Sequence, residues 1–173
     1  MRKNFCVLVL AGLFVIALSG FAVADSQMNN PIDKAFARDF EMAANTAEIN
    51  YVSESYLNAW QAELDNVAKF VKKTYNFPED RKRVDDYVSA YKKVAERAFD
   101  LEMLSWSDTE SPPDIRSFGT GGPGASLSVQ ARIYKQATMN LILHFSTTHD
   151  SSRYKYLYNG KGAQLEKLRE QYR

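Results

Sequence analysis

The residues best placed to do chemistry fall in GTGGPGAS, positions 119–126. Gly119 and Gly124 have the spacing of a phosphate-binding loop, G-x-x-x-x-G-K-[ST], and Ser126 fills its last place. Ala125 stands where the lysine that reaches the phosphates belongs. Such a loop also follows a buried strand, and Pro112 and Pro113 argue against a central strand there. Gly119, Gly121, Gly122 and Gly124 therefore read as a hinge that supplies left-handed backbone before a helix capped by Ser126. A bare helix N-terminus at this point could still hold an anion weakly.

The other reactive types are sparse. His144 and His149 are the only histidines, and five residues apart they do not share a helix face. Cys6 is the sole cysteine, so neither a thiol nucleophile nor a metal cluster is expected in the body of the chain. No serine sits in a G-x-S-x-G elbow. The pairs Asp85/Asp86 and Asp100/Glu102 are ordinary for helix surfaces, whereas a glycosidase needs two carboxylates facing across a cleft. No metal, no cofactor and no enzymatic activity are expected.

One charge feature stands apart. Asp100, Glu102, Asp108, Glu110 and Asp114 face only Arg116 in charge between positions 100 and 118, a local −4. This stretch reads either as a solvated loop or as a docking surface for a basic partner, with complementary charge speeding association. Trp106 lies within it, as a core plug or as an interface anchor. Trp106, Asp108, Glu110, Asp114 and Arg116 are the candidate contact residues.

These residues must be positioned by an exported chain. Arg2 and Lys3 precede an apolar run from Phe5 to Leu18, and Ala22-Val23-Ala24 has the small residues of a cleavage site. Residues 1–24 thus read as a signal peptide cut after Ala24, which places the mature chain in the periplasm or outside the cell. The apolar run is short for a bilayer span, and no membrane span is expected after cleavage. Loss of Arg2 and Lys3 turns a net charge of +1 into −1, which gives no reason to expect a nucleic-acid partner.

The rest reads as all-α, a small antiparallel bundle of about four helices with a long Gly/Pro loop before the last core helix. Pro31 opens a short helix to about 42, with Ile32, Phe36, Phe40 and Ala43 at helical spacing. Asn45 and Glu48 form a capping box for a second helix to about 75. Its stripe is Ile49, Val52, Tyr56, Trp60, Leu64, Val67 and Val71. Pro78 begins a third, ending near Leu104, with Val84, Val88, Tyr91, Val94, Ala98 and Leu101 facing inward. Leu127, Ala131, Tyr134, Ala137, Leu141 and Phe145 line the fourth. Residues 25–145 form the bundle. Residues 146–173, basic and rich in tyrosine, read as an extension with a short terminal helix bearing Leu165, Leu168 and Tyr172.

The order of several short motifs resembles the LprI-type lysozyme inhibitor family. Thr46-Ala47-Glu48-Ile49-Asn50 is similar to its T-x-E-x-N opening. Tyr56 with Ala62-Glu63-Leu64-Asp65 resembles its Y…A-x-E-L-N stretch, and Asp100-Leu101-Glu102 its D-A-E tripeptide. Gly121-Gly122 falls where the family has a G-G, and Arg132, Gln136, Thr138 and Leu141 follow its R-x-x-x-Q-x-T-x-x-L pattern. Tyr51, Met103 and Val129 stand where that family carries cysteines, and Ala95 where it commonly has a tryptophan. The resemblance implies a helical envelope protein that binds a lysozyme or another muramidase and occludes its cleft. The second expectation is a periplasmic adaptor, structural or immunity protein that uses residues 146–173 to bind another envelope protein.

Overall fold

The computed structural model describes residues 30–148 and 154–171. The expected signal segment 1–24, the cut after Ala24, His149 and Tyr172 lie outside the described residues. Five helices occur among them: α1 (Pro31–Met42), α2 (Thr46–Lys72), α3 (Pro78–Ser105), α4 (Gly122–Thr148) and α5 (Leu165–Gln171). There is no strand among the described residues, only an isolated antiparallel bridge between Ser107 and Phe118. The protein is an all-α helical bundle. None of its described helices is long and apolar enough to cross a membrane.

Local chemistry sets the helix starts. The Asn30 side chain accepts from the Asp33 amide at 2.8 Å, and Pro31 enters the first turn at no hydrogen-bond cost. Asn45 accepts from the Glu48 amide at 3.0 Å, while the Glu48 carboxylate reaches back to the Ala44 amide at 2.7 Å. That is a capping box displaced by one residue at its return bond. α3 begins at Pro78 with Glu79 and Asp80 in its first turn, where negative charge suits the helix dipole.

The four longer helices run up, down, up and down. Tyr56 near the middle of α2 meets Asp33 and Phe36 of α1, so these two helices are antiparallel. Ser53 touches Ser128, and Phe70 stacks edge-on with Phe145 at 4.8 Å, so α2 and α4 lie parallel as the principal pair. Between them Val52, Trp60, Leu64, Val67, Ala131 and Ala137 are buried. Asp33 ties α1 to both, accepting from the Tyr56 hydroxyl and from Lys135 Nζ.

Three inward assignments change. Ile49 is 43% exposed, and on α3 Val94 and Leu101 face outward at 53% and 70% exposure. Ala95 takes the buried place instead. Beyond Val88 the burying stripe passes through Tyr91 to this small residue, in steps of three and four that stay on one helix face.

Residues 154–171 are not a free extension. They lie along the groove beside α1 and α2, with Ala163 and Leu165 buried. The buried Glu63 carboxylate accepts from the Leu157 amide at 3.0 Å, the Tyr158 amide at 3.1 Å and the Tyr154 hydroxyl. Asp39 accepts from the Ala163 amide at 2.6 Å. At the far end Arg169 donates to Glu48 and to the Met42 carbonyl, both at 2.8 Å. The tyrosines thus act as packing residues: Phe70, Tyr154 and Tyr156 form an edge-on series. Burial raises the hydroxyls of Tyr154 and Tyr156, the latter to about 12.

Candidate partner-binding loop

The loop between α3 and α4 is built around Trp106. The Trp106 amide closes the last turn of α3 on Met103, and its carbonyl accepts from Gly119 at 2.8 Å. Asp108 donates its amide to Ser117 at 3.1 Å. With the Ser107–Phe118 bridge, these bonds bring the two ends of the loop together, so residues 107–118 form a stapled Ω-like excursion.

The four glycines do something other than expected. None adopts left-handed backbone; among the described glycines only Gly160 and Gly162 have positive φ. α4 starts at Gly122, not at Ser126, because Pro123 in the first turn needs no amide partner. Ser126 is accordingly no cap but a buried residue inside the helix. Gly122 and Gly124 are helical, and the hinge reading is replaced by close approach. A Cβ on Gly121 would stand 2.7 Å from the Trp106 six-membered ring, and one on Gly122 3.0 Å from Trp106 Cβ. One on Gly124 would meet the Asn50 side chain of α2. Gly119, Gly121 and Gly122 make a seat against which Trp106 packs, and Gly124 lets α4 approach α2 closely.

The seat holds Trp106 without hiding it. The residue is 43% exposed, and its Nε1 donates to Glu102 at 3.1 Å. Leu104 at the end of α3, and Ile115 and Phe118 in the loop, are 48%, 70% and 47% exposed. Trp106, Ile115 and Phe118 are thus three large apolar side chains exposed between positions 106 and 118, denser than the scattered singles normal to a surface. Ile115 and Phe118 were missed by helical periodicity, because they lie outside any helix. Two bulky apolar residues among prolines, serines and acids were their only signal.

The five expected contact residues separate into two groups. Asp108 builds the loop: its carboxylate accepts from the Glu110 amide at 2.9 Å and from the Ser111 hydroxyl. The Ser111 bond, then the Glu110 amide, holds the Asp108 carboxyl below its ordinary range. Arg116 also builds it, donating from Nε and Nη2 to the Ser111 carbonyl at 3.3 and 3.2 Å. Glu110 and Asp114 are exposed, their carboxylates open to a partner. The loop therefore carries exposed apolar side chains and exposed carboxylates, with its one arginine spent internally. No three His, Cys, Asp or Glu residues among the described residues are grouped as a metal site.

No family model matches the chain, and neither curated proteins nor solved structures yield a match.

Proposed function

We propose that this chain is an exported bacterial envelope binding protein of lysozyme-inhibitor type, acting without chemistry of its own. Its loop 106–118 would enter or cover the cleft of a cationic cell-wall glycosidase. The observation that carries the reading is the exposure of Trp106, Ile115 and Phe118, together with the carboxylates of Glu110 and Asp114, on one loop stapled at both ends. An aromatic anchor inside a polar rim has the composition of an interface hot spot, and a preformed loop loses little conformational freedom on docking. The order of the motifs from Thr46 to Leu141 supports the same reading.

The test is lysis of bacterial cells by a c-type lysozyme with the purified chain added. Inhibition should be saturable, and Trp106→Ala should weaken it by about tenfold or more, the ordinary weight of an aromatic anchor. Absence of any effect at large molar excess, across several muramidase types, rejects the proposal.

The adaptor or immunity reading retains one observation in its favour. Lys155, Leu157, Lys161 and Lys167 stay exposed on the docked C-terminal segment. Changing the three lysines to glutamate should leave lysozyme inhibition intact if the loop is the contact. Loss of an envelope partner with this variant, and not with Trp106→Ala, would favour the adaptor.

A further inference from the structure

The opposite end of the bundle carries a second feature, independent of the loop. Where the α2–α3 turn passes the C-terminal part of α4, a cleft of about 490 Å³ opens. Small-molecule sites commonly span about 300–1,000 Å³, mostly apolar with a few convergent polar groups. The floor here is Val71, Val84 and Leu141, all buried, with the Tyr75 and Tyr87 rings as walls.

The polar groups divide by how they are used. Tyr87 donates to the Ala137 carbonyl at 3.3 Å, and Asn140 bonds both Gln136 and Tyr91. Those groups are committed to holding α3 on α4. At the mouth the Tyr75 hydroxyl and His144 Nε2 lie 3.3 Å apart. Arg83 stands on the other lip, 82% exposed, with only a long 3.4 Å contact to Asp80 on its own helix. Such an exposed pair contributes little and leaves the guanidinium able to swing over the mouth. Two nitrogen-bearing side chains and a phenol thus flank an apolar cavity, against the single carboxylate of Asp80.

We propose that this cleft binds a small amphipathic carboxylate. The apolar or aromatic body would lie between Tyr75, Tyr87 and Leu141, and the carboxylate would be held at the mouth by Arg83 with Tyr75 and His144. A planar guanidinium suits a carboxylate because it can offer two parallel N–H donors.

The test uses the purified chain with 2-naphthoate as probe and 2-naphthalenemethanol as its neutral counterpart, followed by calorimetry and by the His144 ring signals in NMR. Saturable one-to-one binding of the acid, with those signals moving, is expected. Arg83→Ala, a surface change, should weaken the acid by about tenfold, the weight of a charge-assisted bond, and leave the alcohol unchanged. Leu141→Trp, which fills the floor, should abolish both. Non-saturating binding to millimolar acid overturns the proposal. So does equal affinity for acid and alcohol with no effect of Arg83→Ala, which would mark an unspecific apolar cavity. Lysozyme inhibition by the Arg83→Ala chain should be unaltered, so this result stands or falls apart from the loop's.

Discussion

At the scale of single residues, Trp106 and its glycines carry the sharpest expectation. Replacing Gly121 by alanine puts a methyl group where the indole ring now lies. The ring must lift, since its backbone is fixed through Met103 and Gly119. Tryptophan emission should shift while helical circular dichroism stays the same, because Gly121 precedes α4. Partner binding should fall with it. An unchanged emission spectrum would show that the seat does not hold the ring. Asp108 adds a dependence on acidity. Its folded carboxyl titrates below its ordinary value of 3.8, so its contribution to loop order is full above that value and is lost as pH falls further. Amide exchange at Glu110 should quicken below about pH 3.8, and Asp108→Asn should remove that step. Of this site, the acids and the tryptophan were legible as letters. Their division of labour was not, because Asp108 and Arg116 act on backbone groups brought close only by the loop's closure.

At the scale of elements, the helices were written plainly. Asn30-Pro31, Asn45 with Glu48, and Pro78 mark starts that the structure keeps. Periodicity found the burying face of α2 from Val52 to Val71, yet it misled at Val94 and Leu101, where a small alanine allows closer packing than a valine. The C-terminal segment was the least legible element. Its anchors are backbone amides, which no side-chain pattern announces, and its receptors Glu63, Asp39 and Glu48 are far away in sequence. Glu63→Ala should therefore cost about 3 kcal/mol, since hydrogen bonds to a charged group are worth about 1.5–3 kcal/mol each; urea denaturation measures it. The clasp at the other end responds to acid. Arg169, then the Ala44 amide, holds Glu48 down to about 2 against an ordinary 4.5. That stabilisation is whole above pH 4.5 and fades as pH falls toward 2. Exchange at the Lys167 amide, which bonds the Gln164 carbonyl, should rise through this window, and Arg169→Met should abolish that acid response. Gly162 has φ +59 and faces the Asp39 carboxylate, so Gly162→Ala should loosen the same segment at every pH.

At the scale of the whole molecule, the acidic apolar patch and the cleft occupy opposite ends of helices 27 and 28 residues long. At 1.5 Å per residue they are roughly 40 Å apart. α3 joins the two directly, since it lines the cleft with Arg83, Val84 and Tyr87 and ends at Trp106. If the loop meets a cationic partner, raising salt from about 0.01 M to 0.15 M should slow association by about tenfold or more while dissociation changes little. Stopped-flow mixing separates the two rates, and a salt-independent association rate would rule out steering by Glu110 and Asp114. The bond from Arg169 to Glu48 has a further bearing, on the order in which the molecule is made. Its partners are 121 positions apart, and contacts of such long sequence separation form late and slowly. Trp60 and its neighbours can collapse as soon as α4 is synthesised, but the groove beside α1 stays uncovered until residues 154–171 have followed. Each newly made chain therefore passes through a stage with its apolar groove open, during which holding chaperones and proteases have their best access to it.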